Sequence, residues 1–473
     1  MPILAEGVFT MNGRSLACAV GASLMAALAI WPMAKAAAQE NDHPLLHQVA
    51  AEVNPDALHA TIGKLVGFGT RHSLSGNSSK TRGIGAAQNW IKDSFAEIGK
   101  ACNGCLQIDT PSENFTGSRV PVSTAFMDVL AIQRGTTDPD RVIIIAAHLD
   151  SRNSDVMDAV HDAPGADDDG SGVAAVMEAA RILSKRKFPA TLVYAVLTGE
   201  EQGLYGGTVL AHYARDHHWN VEVDLNNDII GNSRGGDGTV AADRVRVYSE
   251  GTRDLETEAE ARGIRYNGGE IDSPSRNIAR FMAVLGENYL NNFDVRLIYR
   301  TDRYGRGGDH VPMLAAGFPA VRVTEGAENY TREHQTVRRE NGIDYGDVLE
   351  GVDFFYLAQV ARLNIVTMAA LAMAPAPPVV GITGAVTYNT TLNWLPVPGA
   401  ASYRAWWRDS LDPNWTHGRM AGDATSITLE HVNIDDWLFG VSSLSADGYE
   451  SPVAFPGTSG AVGANLAPRP APK

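Results

Sequence analysis

The sequence predicts an α/β fold, a layered α/β/α sandwich around a mostly parallel central sheet, followed by a small all-β sandwich. Three observations carry this. Val142-Ile143-Ile144-Ile145-Ala146-Ala147 and Thr191 to Thr198 are continuous apolar runs of strand length, as strands buried on both faces read. Helical stretches alternate with them, Val173 to Leu183 being amphipathic, and alternation of this kind builds parallel sheets. The texture then changes after Met373-Ala374-Pro375-Ala376-Pro377-Pro378, beyond which short strands follow one another with turn signals between them.

The first element is an address. Arg14 precedes an apolar run, Leu16 to Trp31, and then Pro32-Met33-Ala34-Lys35-Ala36-Ala37-Ala38. A basic start, a hydrophobic stretch and small residues predict a cleaved signal peptide over 1–38. The run is shorter than the ~20 residues a membrane span needs, and no later segment is expected to span. The protein is therefore expected to be secreted or periplasmic. Cys18 leaves with the leader, while Cys102 and Cys105 remain as an even pair. In an exported protein their spacing predicts a local disulfide. A redox motif or a two-cysteine zinc site lacks its context.

A principal domain is expected over 41–372. It opens with helices to about 105, where Trp90, Ile91, Phe95 and Ile98 fall at helical spacing. Beyond the two apolar strands, Arg244 to Tyr248 and Ala320 to Thr324 read as further strands and Val352 to Leu371 as a long closing helix. Residues 373–380 form a stiff Pro-rich linker. Strands are expected at Thr391 to Trp394, Ser402 to Trp407, Ser426 to Leu429 and Leu438 to Leu444. With Trp394, Tyr403 and Asp447-Gly448 in their places, residues 381–456 resemble a fibronectin type III-like module. The tail 457–473 is rich in Gly, Ala and Pro and is expected to be disordered.

With 473 residues, 44% hydrophobic and 20% charged, the chain has ample material for more than one core. That balance excludes a collagen, a wholly disordered chain and a multi-span membrane protein. A formal net charge of −16 argues against a nucleic-acid partner.

The chemistry gathers in four segments. His148-Leu149-Asp150-Ser151 ends a buried strand, and Asp150 stands where a carboxylate can steady the imidazole. Pro164 to Gly172 carries Asp167-Asp168-Asp169 before a helix. Three carboxylates in a row repel without a cation, although such a loop alone reads equally as a solvated helix cap. Glu200-Glu201 closes the second apolar strand, so that one carboxylate can ligate metal while its neighbour moves a proton. Asp228 sits at a further strand end, and Asp309-His310 and Glu333-His334-Gln335-Thr336 add two histidines. His148, Asp168, Glu201, Asp228 and His334 are imidazole and carboxylate ligands without thiolate, a set suited to two Zn²⁺ ions sharing one carboxylate.

This ordered series, His148-x-Asp150-Ser151, Gly165 to Gly172, Glu200-Glu201-x-Gly203-Leu204, Asp228 and His334-x-Thr336, resembles the co-catalytic di-zinc aminopeptidases of the secreted bacterial leucyl type in peptidase clan MH. The resemblance covers about residues 80–372. It implies a phosphorylase/hydrolase-like α/β/α fold and two zinc ions. Asp168 would bridge them, with a cis peptide after it. His148 and Asp228 would complete one site, Glu201 and His334 the other. It further implies Glu200 as the general base acting on a metal-bridged water, Asp150 as the partner of His148, and His310 as structural or supporting. A Tyr near Asp-His helps the oxyanion in some members; here the count falls on Gly305. Tyr304 is the nearby candidate, with Arg303 or Arg306 able to share the task. The expected activity is removal of N-terminal residues from peptides. Rivals on the same fold are a carboxypeptidase or dipeptidase and a single-zinc glutaminyl-cyclase-like enzyme; a non-catalytic scaffold would have lost ligands, and none is missing. The β module could dock the protein to a surface or polymer through Trp406, Trp407 and Trp415, although packing in its own core is the simpler role for them.

Overall fold

The computed structural model describes residues 42–76 and 78–457. The expected leader at 1–38, Asn77 and tail residues 458–473 lie outside the described residues.

In chain order the first ten strands are β1 (Gln107–Asp109), β2 (Ser112–Gly117), β3 (Val120–Met127), β4 (Val129–Gln133), β5 (Asp138–His148), β6 (Ala190–Leu197), β7 (Asn220–Asn227), β8 (Arg244–Ser249), β9 (Asp294–Ile298) and β10 (Ala320–Glu325). Eight of them form one sheet of order β1-β4-β6-β5-β7-β10-β8-β9. The central strands β6, β5, β7 and β10 run parallel, as β8 and β9 do, and the remaining pairings are antiparallel. Both faces of the centre are covered, which is why β5 and β6 are apolar throughout. Strand alternation then divides them. Ile143, Ile145 and Ala147 enter one core cluster, and Val142, Ile144 and Ala146 the other. β2 and β3 form a separate hairpin.

The helices are α1 (Pro44–Ala51), α2 (Pro55–Val66), α3 (Ile84–Ala101), α4 (Gly170–Leu183), α5 (Glu200–Gly203), α6 (Tyr205–Asp216), α7 (Glu258–Asn267), α8 (Pro274–Tyr289), α9 (His310–Ala315) and α10 (Phe354–Met373). Helices α1 to α4, α8 and α10 cover one face of the sheet, and α6 and α9 the other. α1 and α2 start on proline, whose fixed φ suits a first turn. α10 starts at Phe354 rather than Val352 because the Asp353 carboxylate accepts the Phe355 and Tyr356 N–H groups. It is long and apolar enough to cross a membrane, yet it is mostly buried inside the protein, as a core helix is. α3 ends at Cys102, which is disulfide-bonded to Cys105.

After the hairpin β11 (Arg338–Glu340) and β12 (Ile343–Tyr345) come β13 (Val380–Thr383), β14 (Thr390–Trp394), β15 (Ser402–Arg408), β16 (His417–Gly422), β17 (Ser426–Leu429) and β18 (Leu438–Leu444). They form two three-stranded antiparallel sheets, β13-β14-β17 and β16-β15-β18. These enclose Leu392, Trp394, Tyr403, Ala405, Leu429, Phe439 and Val441. The sandwich is locked to the α/β part by charge. Buried Asp272, just before α8, takes Arg280 at 2.8 Å and Arg408 of β15 at 2.8 Å. Trp415 joins the same junction, its Nε1 donating to Asn277 Oδ1 at 3.3 Å and its ring lying under Arg408. Trp407 packs against the sandwich core, and Trp406 donates to Ser442 and Glu450.

Candidate active site

The carboxyl ends of the parallel strands gather the residues singled out in the sequence. His148 is the last residue of β5. Glu200 and Glu201 follow β6 across Gly199, whose φ of 98° makes the turn that begins α5. Asp228 follows β7, and His334 stands in the loop before β11 with a left-handed φ of 56°. Strand ends of a parallel sheet are where such folds bind ligands.

The three aspartates before α4 divide their work. Asp167 Oδ1 accepts Gly231 N–H at 2.7 Å. Asp169 caps α4 by accepting Gly172 N–H at 3.0 Å, and it also accepts His148 N–H at 3.1 Å. Gly172 is required there, since a Cβ would lie 2.5 Å from Asp169 Oδ2 and 2.7 Å from Asn227 O. Asp168, followed by a cis peptide, faces the histidines. His148 Nε2 lies 3.2 Å from its Oδ1 and His334 Nε2 lies 2.9 Å from its Oδ2. Asp228 Oδ1 is 3.9 Å from His148 Nε2, and Glu201 Oε1 is 3.2 Å from His334 Nε2. One carboxylate thus stands between two imidazoles, each with a second carboxylate beside it.

Asp150 supports both halves. His148 Nδ1 donates to the Asp150 main-chain oxygen at 3.0 Å, with the carboxylate 3.7 Å away. That carboxylate accepts the N–H groups of Gly199 at 2.8 Å, Glu200 at 3.3 Å and Glu201 at 3.2 Å, and the Ser73 hydroxyl at 3.0 Å.

The electrostatics are those of a cation site. Burial alone would lower both imidazoles. Asp150, Asp168 and Asp228 instead hold His148 well above its ordinary value, and Glu201 and Asp168 raise His334 to about 11. Burial pushes the Glu200 carboxyl well up, and Asp228, Glu201 and Asp309 add to this against the pull of His148. His148 Nε2, Asp168 Oδ2 and Glu201 Oε1 are buried without a hydrogen-bond partner, a condition native proteins avoid unless an ion or water serves the atoms. Ligand atoms of His148, Asp168 and Asp228 lie within 4.8 Å of one another. The donor set, imidazole and carboxylate without thiolate, fits zinc.

Comparison with known proteins agrees. Residues 128–348 match peptidase family M28. A probable zinc metalloprotease of Pyrenophora teres f. teres is 38% identical over 96% of this chain and 97% of its own. Another, of Pyricularia oryzae, is 41% identical over 87% and 84%. The chain belongs to peptidase family M28. The fold is also that of LapA from Legionella pneumophila, with a TM-score of 0.50 and 18% identity, covering 69% of this chain and 76% of LapA.

The structure adds residues of the peptidase that its sequence did not single out. Fully buried Arg71 donates to Leu149 O at 2.7 Å, Pro164 O at 2.6 Å and Gly165 O at 2.8 Å, tying the His148 loop to the Asp168 loop. The Asp347 carboxylate accepts Asp167 N–H at 2.9 Å and Asp168 N–H at 2.8 Å. Arg322 Nη1 holds Asp228 Oδ2 at 2.7 Å. A charge inside the apolar strand β10 was the available signal for Arg322; Arg71 and Asp347 carry none. His310 is buried and bonds Thr301 O at 3.0 Å through Nε2. Asp309 accepts Gly207 N–H at 2.9 Å. The structure does not bring Tyr304 into the cluster: it is 93% exposed, on a chain that turns outward at Gly305 with φ 71°. Its neighbours Arg303 and Arg306 turn inward, to Glu328 and Glu333.

Proposed function

We propose that this member of peptidase family M28 is an exported aminopeptidase that carries two zinc ions and releases N-terminal residues from peptides. The observation that carries the reading is Asp168, whose two oxygens each face a different imidazole, His148 at 3.2 Å and His334 at 2.9 Å. His148 and Asp228 would hold one ion, Glu201 and His334 the other, with Asp168 shared. Bound there, zinc supplies a Lewis acid that polarises a peptide carbonyl and lowers the pKa of water.

The chain's own residues do the rest. Glu200 is half-buried, and its raised carboxyl accepts a proton from the attacking water and returns it to the departing amine. Asp150 keeps the His148 ring and the Glu200 turn in register, so that the base stays in reach. Arg322 keeps Asp228 ionised beside His148. The removal of residues 1–38, secretion or delivery to a periplasm, and a docking role for the fibronectin-like stretch 381–456 belong to the same proposal.

The test is metal content of the purified mature protein, together with hydrolysis of aminoacyl-anilides by wild type and Glu200→Gln. About two zinc ions per chain are expected, with activity lost in the variant and metal retained. One zinc without anilide hydrolysis would replace the reading by a cyclase-like enzyme. Two zinc ions with release only from the carboxyl end would reverse the polarity.

A further inference from the structure

We propose that Glu333 is an additional metal-binding carboxylate on the His334 side of the cluster, so that this subsite offers Asp168, Glu201, Glu333 and His334. The inference rests on the zinc-peptidase reading and goes beyond its five ligands. Ligand-capable atoms of Asp168, Glu333 and His334 all lie within 4.8 Å of one another. The Glu333 side chain is buried, 6% exposed. Oε1 is engaged by Arg306 and lies 3.8 Å from Arg303 Nη1. Oε2 is buried without a partner.

Glu328 shows what a glutamate that only anchors arginines looks like. Its Oε1 takes Arg246 at 2.6 Å, and its Oε2 takes Arg306 at 2.9 Å and Arg303 at 3.4 Å. Both oxygens are spent on guanidinium. Glu333, in the same network, spends one oxygen on guanidinium and leaves the other without a hydrogen bond, while its carboxylate stands within 4.8 Å of ligand atoms of Asp168 and His334. Two carboxylates brought together in a buried place need positive charge between them, and the arginines serve only one side of Glu333. The backbone supplies the geometry. Residues 331–334 form a turn in which Glu333 N–H donates to Asn329 O at 3.1 Å and His334 takes a left-handed φ of 56°, and residues 333 and 334 both reach Asp168.

The consequence is a difference between the subsites. The His148 side offers one imidazole with Asp168 and Asp228, whereas the His334 side offers one imidazole with three carboxylates. Oxygen-rich sites favour harder ions such as Mn²⁺, so the His334 side should be the more permissive one.

Zn²⁺ and Mn²⁺ titrations of the metal-free full-length protein, by calorimetry or chelator competition, test this. They are paired with the visible spectrum of the Co²⁺-loaded protein. Glu333→Gln is expected to weaken one of two zinc ions by roughly tenfold or more and leave the other unchanged, with a changed Co²⁺ spectrum. Arg306→Gln, which removes the anchor and keeps the carboxylate, is expected to stay within about threefold of wild type, well under the tenfold expected of a lost metal contact. Equal weakening in both variants, or wild-type affinity and spectrum in Glu333→Gln, would overturn the role of Glu333 and leave the di-zinc reading standing. A wild-type protein that binds fewer than two ions would overturn both.

Discussion

The molecule buries charge in two places, to opposite ends. At the junction with the β-sandwich, Asp272 is enclosed by Arg280 and Arg408, and both of its oxygens are taken, one by Arg280 and Arg408 and the other by Arg408. At the carboxyl ends of β5, β6 and β7, His148 Nε2, Asp168 Oδ2 and Glu201 Oε1 are buried without a hydrogen bond, facing one another and His334 instead. The first carboxylate is fully paired, although Arg408 Nε beside it has no hydrogen-bond partner. The second cluster is left open, with a donor set suited to zinc. Burial and charge do not separate the two; what sets the second apart is unsatisfied carboxylate oxygens gathered around two imidazoles.

The largest effect that sharpens this contrast is catalytic. Glu200→Gln should lower kcat by roughly 10²–10⁴-fold while leaving the unfolding midpoint close to wild type, as read by anilide hydrolysis and thermal denaturation side by side. Asp272→Asn should do the reverse. Two buried guanidinium groups lose their counter-charge, which costs about 3–5 kcal/mol, seen as a lower urea midpoint with unchanged activity per folded molecule. A variant at Asp272 with full stability, or at Glu200 with full activity, would break the comparison. Chelation comes next. If the open cluster is finished by ions, their removal should cost about 3–4 kcal/mol at concentrations of 100 to 1,000 times Kd, and thermal unfolding with and without chelator measures it.

The smallest effect concerns His310, which is buried, faces Asp302 and Arg322, and is lowered by burial to about 4. Its folded value lies below that of the unfolded chain, so between pH 6.5 and about 4 the unfolded state binds more protons. Stability from this group is present above that window and is lost as pH falls through it, by at most about 3 kcal/mol. Asp309, raised by burial to about 7, acts with the opposite sign. Its contribution is lost as pH rises toward that value. The difference in slope between wild type and His310→Gln, in denaturation series from pH 4 to 6.5, isolates the imidazole. An unchanged slope would show that the ring is not held neutral.

What was legible in the sequence follows from the same physics. Strands covered on both faces announce themselves as apolar runs, so Val142 to Ala147 and Thr191 to Thr198 were readable, and with them the strand ends that lead to His148 and Glu200. The hairpin β2–β3 was not, because most of Ser112–Gly117 and Val120–Met127 is exposed or half-exposed and carries little alternation. The aspartate run was readable as a site but not in its parts. Asp167 and Asp169 answer backbone N–H groups far along the chain, at Gly231 and His148, and no local pattern marks that. Asp347 and Arg71 act on the Asp168 loop from 179 and 94 residues away. Glu333 stood in plain view beside His334, but that both side chains reach Asp168 depends on the turn at 331–334, which the sequence does not mark.

Asp150 has one more consequence. It is the common reference point from which His148 and Glu200 are both measured: its carbonyl sets the His148 ring, and its carboxylate sets the amides of Glu200 and Glu201. Errors there do not stay local. A shift of residue 150 as a whole bears on His148 through the main-chain oxygen and on Glu200 and Glu201 through the carboxylate at once. The two halves of the site are therefore anchored differently: Asp150 ties the ends of β5 and β6 together, while the loop that carries Glu333 and His334 is held by Arg303, Arg306 and Ser154.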